Sequence, residues 1–526
     1  MRNFQRLMKE GAWAQGMIAP GPDLTTPPAH AALLCGCKSV EHGIYSFEEP
    51  VIERGASHPW KKRMGFDARR LQAEPLWVSF LKAGKKVALL HFPLSFPVEP
   101  YAQEARFGAD FSDRLTVIES FSQRLGFEFV RKDLAGEGIF QVKLSDQSKL
   151  FLPVRAPEKM DTLIFPEKTA GLTRFRFSAE LPGDPDLYFG TALHKIFSNQ
   201  SGLAQSYLDR VGPFPGGGAS YSYWQGKLGK RIHQGGSGKA EQRLMATLEL
   251  VGNHMSEAIR FVEDQVRPGV GFYYFHLIDL ALHLWMGLLD PESPGFSPEI
   301  REFLLPMVRR TFEFADQVVG LLLDGCEGDD LLAVVSDHGM APIERIFYPN
   351  QVLADAGLLS WDRKKGEPIL ERSSAVYHQS NSGYIVINSR ERGGPVRGED
   401  AEELKQKVSD LFGEYLGSVL EKVESVAEHP EIPGLGEFYL TPKYKTALSH
   451  KVEGKVLEPG PYGGQHHFWP ESEWMPAILF LRGPGIPGSA KLGKRSHLEF
   501  ARTVSALAGI PGPEKSRMGP IRFQEE

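Results

Sequence analysis

Aspartate and histidine residues recur in four short segments of this sequence, each of them beside an apolar run or a glycine-rich turn. The segments are Leu24–Ile44 (LTTPPAHAALLCGCKSVEHGI), Ile278–Gly287 (IDLALHLWMG), Val334–Met340 (VVSDHGM) and Tyr462–Phe468 (YGGQHHF). Carboxylate oxygen and imidazole nitrogen are the donors that bind zinc and similar cations in proteins. The four segments together therefore indicate a metal centre.

Asp337 and His338 come directly after the apolar run Leu331–Val335. Ligands of open α/β sheets gather at the carboxyl ends of the strands, so this position favours a binding role. Gly339 permits the sharp turn that both side chains need to reach one cation. The alternative is an aspartate that caps a following helix beside a structural histidine.

Asp279 and His283 also follow an apolar run. Their spacing of four residues places them on one face if a helix begins there, and a carboxylate with an imidazole is a normal pair of zinc ligands. The alternative is a helix-capping aspartate with a histidine in the core. A third histidine ligand is predicted at His466, where Gly463 and Gly464 allow close backbone approach.

The predicted set of ligands is Asp279, His283, Asp337, His338 and His466, with His467 as a supporting residue. Five such donors suffice for most of a two-metal site, and two metals can clamp the attacking and leaving oxygens of a phosphoryl displacement. A nucleophile is predicted at Thr25 or Thr26. A residue before proline is held extended, and a nearby metal can lower the pKa of its hydroxyl.

Apolar runs that alternate with helical patterns must position these residues. The runs Val87–Phe92, Gly271–Ile278, Leu331–Val335 and Ala477–Leu481 are typical of buried parallel strands. Apolar residues at helical spacing predict helices within Ile300–Leu323 and Leu498–Ala508. This alternation predicts an α/β core with a mostly parallel sheet.

Two long stretches, about 109–260 and 343–444, do not follow this alternation. We predict that they are insertions into a core of three pieces, 1–108, 261–342 and 445–526. The glycine-rich segment 212–239 lacks the spacing of a phosphate-binding loop and is predicted to be a surface loop. The alternative is a lid that turns Trp224 and Lys227 towards a substrate.

Composition excludes several classes of protein. The chain has 526 residues, with 60 Lys and Arg against 66 Asp and Glu, so it offers no basic platform for nucleic acid. No apolar run reaches the roughly 18 residues of a membrane helix. Three cysteines cannot all pair, so the chain is not a disulfide scaffold, and Cys35 and Cys37 are predicted to pack in the core.

The first residues predict a helix and no signal peptide. Phe4, Leu7 and Met8 stand at helical spacing, and Gly11 can end the helix. A secretory signal would need an apolar core of roughly 7–15 residues. We therefore expect a cytoplasmic protein if the sequence is complete, while export stays open if the protein begins upstream of Met1.

The ordered motifs resemble the alkaline phosphatase superfamily. Within it they are similar to the type I phosphodiesterases/nucleotide pyrophosphatases and to the phosphohydrolase/phosphomutase branch. The motifs are T-x-P-x-H at Thr26–His30, D-x-x-x-H at Asp279–His283, SDHGM at Ser336–Met340 and G-x-H at Gly464–His466. Segments that look like this branch are spread over most of the chain, namely Thr25–Ala29, Glu41–Phe47, Phe92–Pro97, Asp279–Trp285, Asp290–Pro294, Tyr384–Gly393 and Leu481–Ile486.

The resemblance implies an alkaline-phosphatase-like fold, a sheet between helices with two inserted caps, and a metal-dependent hydrolase of phosphate esters. Thr26 would be the nucleophile that forms a phospho-threonine. One metal would be held by Asp279, His283 and His466, and the other by Asp337 and His338 with Thr26 bridging towards it. The expected cofactors are two divalent cations, zinc or alternatively manganese, and the expected partner is a small phosphorylated substrate.

Two positions depart from the family. The family has an aspartate ligand at the end of its first strand, whereas Met1–Ala14 resembles the helix after that strand. The chain is therefore expected to lack the first core strand and one ligand. The nucleotide-cleaving branch has a phosphate-holding asparagine where this chain has Phe47, which favours the phosphohydrolase/phosphomutase branch. A phosphomutase or phosphotransferase, and a catalytically weak metal-binding homologue, are the alternatives.

Overall fold

The mixed α/β fold divides into two compact units. A computed structural model describes residues 1–120, 124–130, 137–143, 149–155, 162–169, 172–176, 192–194, 196–212, 214–217, 219–226, 228–378 and 383–523. The first unit comprises Met1–Arg6, Phe80–Leu284 and Phe296–Cys326, and the second comprises Leu7–Ser79, Trp285–Gly295 and Glu327–Glu526. The predicted division into a three-piece core with two insertions stays a prediction.

The described part of the chain contains twelve helices. They are α1 (Arg2–Glu10), α2 (Thr26–Cys35), α3 (Ser39–His42), α4 (Leu76–Lys82), α5 (Leu203–Arg210), α6 (Ala219–Trp224), α7 (Lys239–Phe261), α8 (Leu277–Leu289), α9 (Pro298–Gly325), α10 (Pro349–Asp355), α11 (Ala401–Gly413) and α12 (His497–Leu507). Helices α1, α9 and α12 confirm the predicted ones. No helix in the described part of the chain combines the length and the apolar character needed to cross a membrane.

The strands of two sheets lead to the candidate site residues. They are β1 (Ala12–Ile18), β2 (Val87–Leu90), β3 (Leu115–Glu119), β4 (Phe197–Ser198), β5 (Val270–Tyr273), β6 (Leu332–Val335), β7 (Ala477–Arg482), β8 (Ala490–Lys491) and β9 (Lys494–Ser496). In the first unit the order is β4-β3-β2-β5, and β2 is parallel to both β3 and β5. Every residue of β2 is buried, as expected for a parallel strand covered on both faces.

The sheet of the second unit has the order β6-β7-β1-β8, with β9 also paired to β1. Strand β7 is antiparallel to both β1 and β6, so the prediction that Leu331–Val335 and Ala477–Leu481 are parallel strands is wrong. Leu479 and Leu481 are fully buried, whereas Ile478 between them is 43% exposed. One face of β7 therefore meets solvent, which antiparallel sheets tolerate and parallel sheets seldom do.

The remaining strands form antiparallel or smaller sheets. The first unit contains the strands Arg124–Val130, Glu137–Lys143, Lys149–Arg155, Thr162–Thr169, Leu172–Arg176, Ala192–His194 and Phe214–Gly217. The second unit contains Glu48–Glu53, Ala56–Met64, Ala341–Pro342, Arg345–Phe347, Trp361–Asp362, Glu367–Pro368, Ala375–Tyr377, Tyr384–Ile387, Leu420–Ser425, Phe438–Pro442, Thr446–Leu448, Leu457–Pro459 and Gly464–Gln465. Most of these pair with a neighbour near in sequence.

The glycine-rich segment 212–239 is more regular than the predicted surface loop. It includes a short strand and helix α6, and the buried Tyr223 hydroxyl donates to the Glu241 carboxylate over 2.7 Å. For the lid alternative, the Trp224 ring lies 5.1 Å from the Arg231 guanidinium carbon, and Lys227 lies outside the described residues.

Cys35 and Cys37 are buried free thiols, which confirms their predicted place in the core.

Candidate metal centre

The predicted nucleophile, Thr26, is the first residue of α2. Thr25 before it is extended, with φ −66° and ψ 156°, and Pro27 and Pro28 occupy the first turn of the helix. Proline suits this position because the first turn leaves its backbone N–H groups without helical partners. Every residue of α2 is buried. Thr26 is therefore held at the positive end of a buried helix, which favours a nearby anionic group.

Asp23 holds the residue that precedes this helix, Thr25, through two hydrogen bonds. The sequence motifs did not predict a role for Asp23. Asp23 Oδ1 accepts from the Thr25 backbone N–H over 2.8 Å and from the Thr25 hydroxyl over 2.5 Å. Burial raises the pKa of Asp23 to about 6, although the two bonds from Thr25 oppose that rise. The Asp-x-Thr spacing indicates such a contact, because an aspartate side chain can bond to the backbone N–H two residues later.

Asp337 and His338 lie in the loop after β6, as the sequence predicts. His338 Nδ1 lies 2.9 Å from the Gly339 carbonyl oxygen. A carbonyl only accepts, so Nδ1 carries the hydrogen and Nε2 presents a lone pair. The chain continues into the strand Ala341–Pro342, so the helix-cap alternative for Asp337 is wrong. A Cβ atom on Gly339 would meet the Trp474 carbonyl oxygen at 2.0 Å, so only glycine fits this turn.

The donor atoms of Asp337 and His338 fit one cation. His338 Nε2 lies 3.3 Å from Asp337 Oδ2. A tetrahedral zinc with bonds of about 2.0–2.1 Å separates its ligand atoms by about 3.3 Å. The spacing is therefore that of two ligands of a zinc-type ion.

A second histidine, His30, also reaches Asp337. Its Nδ1 lies 3.3 Å from Asp337 Oδ2 and 2.9 Å from the Thr26 carbonyl oxygen. Burial alone would raise the pKa of Asp337, but the His338 and His30 imidazoles hold it well below its usual range. The carboxylate is therefore ionised, as a ligand must be. His30 is the last residue of the T-x-P-x-H motif, and the sequence alone predicted no role for it.

His466 lies against the same group of residues in the second unit. Its Nδ1 donates to the Leu24 carbonyl oxygen over 3.1 Å, which leaves Nε2 as the atom available to a metal. Its ring stacks on that of His338, with centroids 3.6 Å apart and planes 11° apart. The His467 ring lies 4.8 Å from the His466 ring, and its supporting role stays a prediction.

Asp279 and His283 belong to the first unit and lie one turn apart on α8. The helix runs from Leu277 to Leu289, which confirms the predicted helical spacing. Asp279 lies inside the helix, so the capping alternative is wrong. His283 Nε2 lies 3.4 Å from Asp279 Oδ1, and both side chains are about one third exposed. This pair also has the spacing of two metal ligands.

Comparison with known proteins places these features in context. A family model described as "Type I phosphodiesterase / nucleotide pyrophosphatase" matches residues 1–469. No curated protein matches the chain. Murine ectonucleotide pyrophosphatase/phosphodiesterase 5 is 14% identical over 99% of this chain and 92% of that chain, with a TM-score of 0.47. Phosphonoacetate hydrolase from Sinorhizobium meliloti 1021, in complex with phosphonoformate, is 16% identical over 93% of this chain and 86% of that chain, with a TM-score of 0.41.

Proposed function

Because the chain belongs to the type I phosphodiesterase/nucleotide pyrophosphatase family, within the alkaline phosphatase superfamily, we propose that it hydrolyses phosphate esters through a covalent phospho-Thr26. The family is one of phosphoric ester hydrolases, so the class of reaction follows from membership. The nucleophile and the dependence on divalent cations are the parts that we propose.

The observation that supports this proposal most strongly is that three motifs far apart in the sequence contact one another within the second unit. The Leu24 carbonyl accepts from His466, and the His466 ring stacks on His338. The T-x-P-x-H segment thus lies beside the Asp-His and Gly-x-His segments. A candidate nucleophile and metal-type ligands in one place are what two-metal phosphoryl transfer requires.

The proposed ligand sets are those that the family motifs imply. They are Asp279, His283 and His466 for one cation, and Asp337 and His338 for the other. Bound divalent cations would polarise the phosphoryl oxygens and lower the pKa of the Thr26 hydroxyl. Imidazole and carboxylate donors suit zinc, and manganese is the alternative. The tautomers of His338 and His466, each with hydrogen on Nδ1, support a role for Nε2 as ligand.

The reaction would proceed in two balanced steps. Thr26 Oγ forms a bond to phosphorus while the bond from phosphorus to the leaving oxygen breaks, and the hydroxyl proton departs with the leaving group as an alcohol. Water then adds to phosphorus, the bond to Thr26 Oγ breaks, and one proton of the water returns to Thr26. Overall one water is consumed for each ester bond.

The test compares Thr26→Ala with Thr25→Ala, its neighbour with the same side chain. Activity would be measured on bis(p-nitrophenyl) phosphate and p-nitrophenyl phosphate with added zinc or manganese. We expect Thr26→Ala to lose about 10³-fold or more in kcat, because loss of a covalent nucleophile commonly has effects of this size. An acid-quenched wild-type reaction should carry phosphate on Thr26. Equal activity of Thr26→Ala and wild type would overturn the proposal.

A further inference from the structure

His30 occupies a position between the nucleophile and a proposed metal ligand. It follows Thr26 by four residues on α2, so its side chain lies over the same face as Thr26. It is 7% exposed. Its Nδ1 lies 2.9 Å from the Thr26 carbonyl oxygen, which only accepts hydrogen bonds. The hydrogen of this imidazole is therefore on Nδ1.

The same nitrogen reaches the carboxylate of Asp337 at 3.3 Å. Asp337 Oδ2 has a second imidazole nitrogen at this distance, His338 Nε2. With its hydrogen on Nδ1, the His30 ring can donate to Asp337 from the same N–H that meets the Thr26 carbonyl oxygen. A single N–H shared between two acceptors is a common form of hydrogen bond, and one to a carboxylate is strengthened by charge.

The geometry points to His30 as a positioning residue whose one N–H holds the Thr26 backbone and the Asp337 carboxylate together. The Thr26 hydroxyl would thereby be kept towards the cation that Asp337 and His338 would hold. This inference rests on the proposed function. Partners that hydrogen-bond metal ligands fix the orientation of those ligands, and their loss typically lowers metal affinity or activity 10- to 100-fold.

The surroundings of His30 support a fixed position. Helix α12 packs against α2, and its first residue, His497, is fully buried near His30, Asp337 and His338.

The test uses side chains that keep or remove this N–H. In His30→Asn the amide nitrogen can occupy the place of Nδ1, whereas His30→Ala has no donor. His42→Asn is the matched control, since His42 is also a fully buried histidine on a neighbouring helix of the same unit. Each purified variant would be loaded with zinc, dialysed against a weak chelator and analysed for metal per chain. Cobalt-substituted forms would be compared by absorption spectroscopy.

We expect His30→Ala to bind the cation at Asp337 and His338 about 10- to 100-fold more weakly than wild type does. Its cobalt form should show an altered absorption spectrum, and its kcat should fall at a similar KM. His30→Asn should recover most of this loss, and His42→Asn should behave as wild type. If His30→Ala keeps two metals and full kcat, or if a folded His30→Asn is as impaired as His30→Ala, the role of His30 is overturned. A wild-type chain that binds no metal would instead overturn the proposed function, and this inference with it.

Discussion

The imidazole of His466 stacks on the imidazole of His338, with ring centroids 3.6 Å apart and planes 11° apart. The two residues are 128 positions apart in the sequence, and each donates its Nδ1 hydrogen to a backbone carbonyl. Both rings are therefore held in fixed orientations by their Nδ1 hydrogens. Two rings oriented in this way support the metal site that we propose, since metal ligands are commonly oriented by such hydrogen bonds.

The first prediction concerns removal of metal. Treatment with a strong chelator should abolish phosphodiesterase activity and lower the melting temperature, and zinc or manganese should restore both. A ligand at 100 times its Kd stabilises the folded state by about 2.7 kcal/mol. His338→Gln and His466→Gln should hold less metal than wild type, whereas His429→Gln, at a partly exposed histidine outside the proposed ligand sets, should not differ. Unchanged activity after complete removal of metal would contradict this prediction.

The second prediction concerns the buried Asp23. Asp23→Ala leaves the backbone N–H and hydroxyl of Thr25 without their acceptor, so we expect the free energy of unfolding to fall by about 2–3 kcal/mol. Asp23→Asn keeps an acceptor oxygen and should cost clearly less. Urea unfolding at pH 7 measures both variants.

Asp110 provides the matched control for Asp23. It accepts from the backbone N–H and hydroxyl of Ser112 in the same pattern, but in an exposed loop. Asp110→Ala should change the free energy of unfolding much less than Asp23→Ala does, because water replaces the lost acceptor. Equal losses in Asp110→Ala and Asp23→Ala would show that burial of Asp23 is not what makes its bonds matter.

The third prediction concerns pH. His254 is buried, its Nε2 lies 2.9 Å from the Tyr207 hydroxyl, and burial lowers its pKa to about 3 from 6.5. Between these values the unfolded chain binds a proton that the folded chain does not. The stability of the folded state therefore falls as pH decreases from about 6.5 towards 3, by up to about 1.4 kcal/mol per pH unit for this residue.

His254→Gln removes this titration while a side-chain amide can still bond to Tyr207. The slope of unfolding free energy against pH, measured between pH 6 and pH 4, should be smaller in the variant than in wild type by up to one proton. His429→Gln, at a partly exposed histidine, serves as the control for the substitution itself. Equal slopes for His254→Gln and wild type would refute a neutral buried His254.

The fourth prediction concerns Lys445, whose ammonium group lies between three carboxylates. Its Nζ is 2.7 Å from Glu344, 2.9 Å from Asp290 and 3.3 Å from Glu292, and its side chain is only 12% exposed. Lys445→Met would leave the partly buried carboxylates of Glu344 and Asp290 without their common partner. We expect a loss of about 3 kcal/mol in the free energy of unfolding, since breaking a buried ion pair from one side is strongly destabilising.

Lys365 is the control for this measurement. Its side chain is 69% exposed, and its Nζ lies 3.8 Å from Glu367. Exposed pairs of this kind contribute little, so Lys365→Met should change the free energy of unfolding by less than about 1 kcal/mol. A loss at Lys445 no larger than that at Lys365 would contradict the prediction.

Features set by neighbouring residues could be predicted from the sequence alone. The spacing of Asp279 and His283 and the apolar pattern of Leu498–Ala508 each depend on contacts within a few turns of one helix, and both helices are present. The order of the motifs indicated the family, and the match to residues 1–469 confirms it. In these cases the contacts that form the helix lie within a short stretch of the chain, so the spacing of apolar residues predicts the helix directly.

The tertiary structure alone decided which distant residues meet and in which direction strands pair. An apolar run such as Ala477–Leu481 has the same composition whether its neighbours are parallel or antiparallel, and here they are antiparallel. Likewise nothing in the sequence around His30 indicates that its Nδ1 will reach Asp337, 307 residues away. These contacts arise because packing brings separate segments together. The residue pattern of one segment does not predict which other segment will pack against it.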